Sequence, residues 1–222
     1  MALNDTHSIL TTSLSQSQLP ESVRTLLKRA YVNRYAKRST VVAAGSESKS
    51  LYLILKGSVS VIVREGDDRE IVVAYLNPGD FFGEMGLFEA NPQRSAEVRT
   101  RSICEIAEIS YENFHELSKT YPDLSYAVFA QLVRRLKQTT RKVTDLAFID
   151  VSGRIARNLI ELSKQPEATI LPNGRQIRIT RQELGRIVGC SREMVGRVLK
   201  SLEEQGMIET SGKAILIFDS SL

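Results

Sequence analysis

The chain has 222 residues, of which 42% are hydrophobic and 25% charged, a composition typical of a soluble globular protein with room for two small domains. Its net charge of +4 is only mildly basic, so any nucleic-acid site requires a local concentration of positive charge. The last third of the chain contains such a concentration: Arg175, Arg178, Arg181, Arg186, Arg192, Arg197 and Lys200.

The cysteines and histidines exclude several kinds of site. Cys104 and Cys190 lie far apart, which suggests neither a disulfide framework nor a zinc or iron–sulfur site, and we expect two buried reduced thiols. His7 and His115 lack the spacing of metal ligands, so no metal site is predicted. No apolar run is long enough to span a membrane and no signal peptide is evident. We therefore expect a cytoplasmic protein without a membrane partner.

The first half of the chain is predicted to contain mainly short strands. Residues 1–18 are rich in Ser, Thr and Gln and are expected to form a loose tail, and a modest helix follows over Leu19–Tyr31. Glycines and the turn Asn77–Asp80 then separate short apolar segments, the pattern of an antiparallel roll or barrel. The predicted strands are Val41–Ala44, Leu51–Leu55, Ser58–Val63, Ile71–Leu76, Ala96–Arg99 and Ile103–Ile109.

A long helix is predicted after the strands. Ser110 begins a helical stretch, and Tyr121-Pro122-Asp123 precedes a helix that extends to about Phe148. Along it, residues recur at alternating steps of four and three, which is the spacing of a coiled-coil seam: Leu132, Leu136, Thr139, Val143 and Leu146. The seam favours a homodimer, and packing of the helix onto the roll is the alternative.

The remainder of the chain is predicted to be a winged helix-turn-helix. Val151–Ser163 forms a helix, and residues 164–174 form an exposed loop with two prolines. Two short helices follow, and Gly206 ends the second. The strands Met207–Thr210 and Lys213–Phe218 then form a hairpin, which is the wing.

The helix pair has local signals for its boundaries. Thr180 and Glu183 form a capping box that begins the first helix, Gly189 can end it, and Ser191 can cap the second. One side of the second helix is apolar: Met194, Val195, Val198, Leu199 and Leu202. The opposite side carries Arg192, Glu193, Gly196, Arg197 and Lys200. Such a helix fits the DNA major groove, where Arg pairs with guanine and Glu accepts from cytosine. An amphipathic helix pair with a solvated charged face is the alternative.

A second candidate site lies within residues 83–96. Two glycines allow the backbone to approach a ligand, and a short helical turn after Gly83 would direct free N–H groups toward an anion. Arg94 can pair with a phosphate and Ser95 can donate to it, whereas Glu84 can accept from a sugar hydroxyl. One acid and one arginine facing a small cavity suit a ribose phosphate. A surface Glu–Arg ion pair beside a turn is the alternative.

The order of these parts resembles the cAMP receptor protein family over about residues 30–218. Three segments nearly match the family's sequence: Arg-Arg-Leu at 134–136, Leu-Ala-Phe at 146–148 and Gly-Cys-Ser-Arg-Glu at 189–193. Methionine at position 194 is similar to the virulence-regulator branch of the family. The resemblance implies an α+β fold with three parts: a cyclic-nucleotide-binding β-roll (a jelly roll) at 19–121, a long dimerisation helix and hinge at 122–150, and a winged helix-turn-helix at 151–222.

The resemblance also implies the ligand and its contacts. Cyclic AMP would be the effector, and its ribose and cyclic phosphate would be held by Gly83, Glu84, Arg94, Ser95 and Ala96. Arg135 and Thr139 would close over it, and the partner subunit's Thr140 would reach the adenine. Because Thr139 lies on the seam, one ligand could touch both chains and favour one arrangement of the dimer.

By the same resemblance, the helix pair would bind double-stranded DNA. Base edges would be read by Arg192, Glu193 and Arg197. Phosphates would be contacted by Thr180, Arg181, Gln182, Ser191 and Lys213. The loop at residues 164–174 matches the surface by which relatives touch RNA polymerase.

Some positions depart from the family pattern. Tyr31 and Asn33 stand where relatives often carry basic side chains for a second polymerase contact. The candidates to supply the missing positive charge are Arg34, Arg38 and Arg101. Glu97 occupies a position that is aromatic in close relatives.

The resulting prediction is a homodimeric, cAMP-responsive transcription regulator of a palindromic operator. The same fold with cyclic di-GMP or no effector is one alternative, and the intact Arg94-Ser95 pair argues against it, because a branch that responds to cyclic di-GMP departs there. An enzyme with a regulatory nucleotide domain is another, but no Ser/His/Asp grouping, metal cluster or Walker-type loop supports catalysis. A gas or redox sensor is a third, weakened by the isolated cysteines.

Overall fold

The computed structural model describes residues 19–65, 69–89 and 92–219, so the predicted tail at 1–18 lies outside the described residues. The chain divides into two compact units, residues 1–138 and 139–222, with the boundary inside the long helix. Within the described ranges, no helix is long and apolar enough to cross a membrane.

The first unit contains two four-stranded antiparallel sheets. Its strands are β1 Tyr31–Tyr35, β2 Thr40–Val42, β3 Ser50–Lys56, β4 Val59–Glu65, β5 Arg69–Leu76, β6 Phe81–Phe82, β7 Glu97–Thr100 and β8 Cys104–Ser110. One sheet has the order β1-β8-β3-β6 and the other the order β2-β7-β4-β5. Its helical elements are α1 Glu21–Arg29, a 3-10 helix Glu84–Phe88, α2 Tyr111–Thr120 and the first part of α3 Pro122–Phe148. This arrangement, together with the second unit, confirms the predicted α+β fold.

Two apolar cores lie on opposite faces of the first sheet. Along β3, Leu51 and Leu53 pack against α1, α2 and α3, whereas Tyr52 and Ile54 pack against the second sheet. Alternate residues of a strand point to opposite faces, so a strand covered on both faces is apolar throughout. Leu132, the first residue of the predicted seam, is partly buried against the helical core. The beginning of α3 therefore packs onto the roll.

Two strands of this unit were not predicted. The predicted helix Leu19–Tyr31 is observed only from Glu21 to Arg29, and β1 begins two residues later. Four of the five residues of β1 are exposed, so the strand lacks the alternation that identifies half-buried strands. β6 has only two residues.

The second unit is a helical domain with a four-stranded sheet. Its elements are α4 Val151–Ser163, β9 Thr169–Leu171, β10 Gly174–Arg178, α5 Arg181–Val188, α6 Arg192–Glu204, β11 Ile208–Ser211 and β12 Ala214–Phe218. The sheet order is β11-β12-β10-β9. The predicted helix Val151–Ser163 and the predicted wing hairpin are confirmed.

The prediction of a plain loop at residues 164–174 is wrong. β9 pairs with β10 in antiparallel register, from Gly174 opposite Leu171 to Gln176 opposite Thr169, so the wing hairpin belongs to a larger sheet. A three-residue strand with two exposed members carries no periodic signal.

The expectation of two buried thiols holds only in part. Both cysteines are free, but Cys104 is buried and Cys190 is half-buried.

Candidate functional site

A cleft in the first unit brings together most residues predicted to bind a small ligand. The space between its walls is about 490 Å³, including open solvent at its mouth. Its lining includes six of the eight predicted ligand residues: Gly83, Glu84, Arg94, Ser95, Ala96 and Arg135. Thr139 and Thr140 are exposed residues of α3 that the structure does not bring into this lining, and their roles stay predictions.

Arg94 is a buried cation, with 8% of its surface exposed. Its guanidinium donates to the carbonyl of Ser50 at 2.7 Å and to the carbonyl of Gly83 at 3.3 Å. It also donates to the Tyr111 hydroxyl at 3.3 Å and lies 5.3 Å from the centre of the Tyr52 ring. These partners, the ones it has among the described residues, are all neutral. A buried charge is stabilised fully only by an opposite charge, so the chemistry of this position suits an anionic ligand.

Tyr111 organises the backbone around the guanidinium. Its hydroxyl donates to the carbonyl of Gly83 at 2.5 Å and lies 2.5 Å from the Ser48 hydroxyl. A Cβ on Gly86 would be 2.5 Å from both the Ser48 and the Tyr111 oxygen atoms, so only glycine fits there. The sequence reasoning missed Ser48 and Tyr111. The glycines signalled a close approach, but nothing in the sequence identified the approaching groups.

Glu84 pairs with Arg135 and not with Arg94. The distance from Glu84 Oε1 to Arg135 Nη1 is 2.9 Å, and Arg135 Nη2 also donates to the carbonyl of Phe81. Glu84 is only 6% exposed, so the alternative of a surface ion pair with Arg94 is wrong. Among the described residues its second oxygen, Oε2, has no hydrogen-bond partner. That oxygen can accept a hydrogen bond from a ligand hydroxyl.

Strand β7 and the residue before it form a wall of the cleft with alternate residues. Ala96 and Val98 line the cleft, while Glu97 between them pairs elsewhere. Ser95 is exposed beside the cleft, and its hydroxyl contacts the Met85 sulfur at 3.5 Å. Because this contact is weak, the Ser95 hydroxyl can donate to a ligand.

Glu97 is held by one cation of its own strand, β7, and one of the neighbouring strand β4. Its carboxylate lies 2.6 Å from Arg99 Nη2 and 3.1 Å from Arg64 Nη2, and it accepts from the Thr40 hydroxyl at 3.2 Å. Two guanidinium groups and a hydroxyl satisfy the carboxylate, which explains how a buried acid is accommodated at this position.

Tyr52 packs against Phe82 and Arg94, two residues of the cleft lining. Its ring stacks on Phe82 with centroids 4.8 Å apart, and its hydroxyl donates to Glu108 at 3.1 Å. Burial, followed by the negative charge of Glu108, raises the pKa of Tyr52 to about 12. The phenol therefore stays protonated and keeps this hydrogen bond at physiological pH.

The second unit holds the helix pair in the predicted geometry. The Thr180 hydroxyl accepts from the Glu183 N–H at 3.1 Å, and Gly189 ends α5 in the left-handed region with φ of 75°. The Ser191 hydroxyl accepts from the Met194 N–H at 3.2 Å and caps α6. These bonds confirm the predicted caps.

One side of α6 is fixed in the core and the other faces solvent. Val195 and Leu199 are buried, whereas the predicted reading residues Arg192, Glu193 and Arg197 are exposed. The predicted phosphate contacts lie in the same unit, at the N-terminus of α5 (Thr180, Arg181, Gln182), at the α6 cap (Ser191) and at the tip of the β11–β12 hairpin (Lys213). The Ile179 N–H donates to the Lys213 carbonyl at 2.8 Å, which places the hairpin tip beside the start of α5.

The two units correspond to two known domain types. Residues 32–121 match the cyclic nucleotide-binding domain, and residues 153–221 match the Crp-like helix-turn-helix domain. The chain is therefore of the class of DNA-binding proteins that carry a cyclic-nucleotide-binding domain.

Similar whole proteins identify the family. The chain is 53% identical over 196 residues, 87% of its length and 92% of the relative, to the cAMP-activated global transcriptional regulator Vfr of Pseudomonas aeruginosa. It is 47% identical to CRP of Escherichia coli O6:H1, over 92% of this chain and 98% of that protein. A solved structure of CLP from Xanthomonas campestris, described as a c-di-GMP responsive global regulator, has a TM-score of 0.82 and 46% identity and covers 89% of this chain and 98% of that one. The chain belongs to the CRP family of transcription regulators. Its relatives are regulators and not enzymes, as predicted.

Proposed function

We propose that the chain is a cytoplasmic, cAMP-responsive regulator that acts as a homodimer on a palindromic operator and contacts RNA polymerase. The observation that carries the ligand assignment is the charge arrangement of the cleft. Arg94 is a buried cation with neutral partners, and it lies in the same lining as the Glu84 carboxylate, whose Oε2 lacks a hydrogen-bond partner within the described part of the chain.

This arrangement suits a cyclic ribose phosphate. Arg94 and the Ser95 hydroxyl would bind the phosphate, and Glu84 would accept from the ribose hydroxyl. The apolar wall formed by Val61, Phe82 and neighbouring residues provides a surface for the rest of the nucleotide. Relatives at 47–53% identity are named as cAMP-activated, which supports an adenine nucleotide.

Cyclic di-GMP is the second candidate ligand, because the structurally similar CLP is described as responsive to it. That molecule carries two phosphates and two guanine bases. The buried part of the cleft offers one cation, Arg94, that lacks an acidic partner among the described residues, and this favours a ligand with one phosphate.

Calorimetric titration of the full-length protein with cAMP, cGMP and cyclic di-GMP tests the assignment. We expect cAMP to bind most tightly. Arg94→Leu should lose roughly 2–4 kcal/mol of cAMP binding free energy, comparable to truncation of one partner of a buried charge pair. Unchanged affinity in a folded Arg94→Leu protein, or preferred binding of cyclic di-GMP, would contradict the proposed ligand site.

The exposed apolar residues of α3 support a homodimer. Val133, Leu136, Val143 and Leu146 are 53%, 67%, 62% and 56% exposed, and the last three belong to the predicted seam. A coiled-coil stripe buries such residues against an identical helix. A two-fold dimer would also place two α6 helices against two half-sites, about one turn of DNA apart.

DNA recognition is tested by selecting binding sites with matched variants. Arg192→Ala should remove a base contact worth about 1–3 kcal/mol and flatten preference at one base pair of each half-site. Lys213→Ala should weaken binding to every sequence and lower the salt slope by about one unit, because it removes a phosphate contact. If Arg192→Ala kept full base preference while Lys213→Ala changed it, the proposed docking would be wrong.

The polymerase contact is proposed for residues 164–174, which resemble the contacting surface of relatives and comprise the segment before β9, β9 itself and the turn into β10. Ile170 is 78% exposed there. Substituting this segment should reduce transcription in vitro while leaving operator binding unchanged, and equal loss of both would exclude the contact.

A further inference from the structure

Gln131 of α3 occupies an unusual position at the edge of the first sheet. It is a polar side chain with only 3% of its surface exposed. The Phe81 N–H donates to Gln131 Oε1 at 2.7 Å, and Gln131 Nε2 donates to the Phe81 carbonyl at 2.6 Å. Strand β6 is the last strand of its sheet and pairs on its other side with β3. The amide of Gln131 therefore takes the place of a peptide group from a further strand.

Gln131 also marks the place where α3 stops being buried. The buried residues of α3 are Leu124, Val128 and Gln131, and those that follow in the helix are half-buried or exposed. One helical turn after Gln131, Arg135 donates to the same Phe81 carbonyl and pairs with Glu84. The backbone of Phe81 is thus bound by α3 at two successive turns.

Sequence proximity connects this contact to the ligand cleft. Phe81 is separated from Gly83 by a single residue, Phe82, and both Phe82 and Gly83 line the cleft. A shift of β6 relative to α3 would move the Gly83 carbonyl away from Arg94 and would change the distance between Glu84 and Arg135.

We propose that Gln131 is a positioning residue for the nucleotide cleft: its amide locks β6 against α3 and so sets the geometry of Glu84 and Arg135. The assignment of a cyclic nucleotide as ligand rests on the proposed function above. The locking of β6 rests on the two hydrogen bonds alone. An amide suits this position because it offers an acceptor to the Phe81 N–H and a donor to the Phe81 carbonyl in one side chain.

The test compares Gln131→Met with Val128→Ala in the full-length protein. Methionine conserves volume but leaves the Phe81 N–H without its partner. Val128→Ala removes packing from the preceding turn of the same helix without removing a polar partner, and it controls for general loss of stability. Amide hydrogen exchange in the absence of nucleotide and calorimetry with cAMP are measured for both variants and for the natural chain.

In Gln131→Met we expect exchange of the amides at residues 81–84 to accelerate at least tenfold and cAMP affinity to fall at least tenfold. Val128→Ala should lower the unfolding temperature but change cAMP affinity less than threefold. The proposal would be overturned if the amides of residues 81–84 in Gln131→Met exchanged as slowly as in the unsubstituted chain. It would also be overturned if the two variants lost equal cAMP affinity. If the natural chain failed to bind cAMP, the proposed function would fail, whereas the exchange data would still decide the role of Gln131.

Discussion

Substitution of Gly83 by alanine perturbs the cleft at one defined point. Gly83 has φ of 82° and immediately precedes the 3-10 helix. A Cβ at this position would be 3.0 Å from the Ser50 carbonyl and closer still to Arg94 Nη1. Both the backbone conformation and the position of the guanidinium therefore have to change.

The magnitude follows from these two effects. A side chain in the left-handed region costs about 1–2 kcal/mol. Displacing the Arg94 guanidinium weakens one charged hydrogen bond, which contributes about 1.5–3 kcal/mol. Gly45 provides a matched control, because it has φ of 77° and, apart from its chain neighbours, no described residue has an atom within 4 Å of its Cβ position. Gly45→Ala should cost about 1–2 kcal/mol of unfolding free energy, and Gly83→Ala about 2.5–5 kcal/mol.

Urea unfolding and calorimetry with cAMP separate the two variants. Because the displaced guanidinium no longer meets the phosphate correctly, Gly83→Ala should lose about 10–100-fold in cAMP affinity, the equivalent of about 1.5–3 kcal/mol. Gly45→Ala should bind cAMP as the natural chain does. Equal destabilisation of the two variants, with cAMP affinity retained in both, would refute the argument that Gly83 is needed to seat Arg94.

Three further substitutions or reactions test other parts of the molecule. Glu97→Leu leaves Arg64 and Arg99 without this carboxylate. Because their side chains are 48% and 30% exposed, we expect the free energy of unfolding in urea to fall by only about 1–2 kcal/mol. An unchanged free energy would show that the two ion pairs do not stabilise the fold. Thr140→Ala should weaken cAMP-dependent DNA binding more than cAMP binding, and equal losses would argue against a contact across the dimer. Burial raises the pKa of the Cys190 thiol, which lowers its thiolate fraction, so iodoacetamide at pH 8 should react more slowly with the folded than with the urea-unfolded chain; equal rates would show an open thiol.

The parts of the fold that could be predicted are those whose signals are local. Val151–Ser163 and the helix pair have an apolar periodicity and capping residues within their own sequence, and the structure confirms them. Four strands were missed. β1, β6 and β9 are short or mostly exposed, and β10 has its buried residues, Gly174 and Ile177, three positions apart, so it lacks a strand's alternation. Their conformation depends on hydrogen bonds to strands elsewhere: Tyr31, for example, pairs with Glu108. Such pairing leaves no periodic pattern in the strand itself.

The same distinction applies to the candidate ligand site. Gly83, Glu84 and Arg94 could be selected because they form a compact motif with complementary chemistry. Tyr111 and Gln131 could not, because they come from helices that the chain reaches later, and neither carries a distinctive local pattern. The partner of Glu84 was also not identifiable, since either arginine of the proposed site could have been chosen on charge alone.

This difference between the two sites determines how substitutions in them should be interpreted. Arg192 and Arg197 project from a helix that its own caps and apolar side define, so removing either side chain should change the proposed DNA reading with little effect on folding. Arg94 donates to the backbone carbonyls of Ser50 and Gly83, so its removal takes one donor from each and should lower stability together with ligand affinity. Affinity measured for variants of the cleft is therefore meaningful only beside their unfolding free energies, whereas the outward face of α6 can be studied by binding alone.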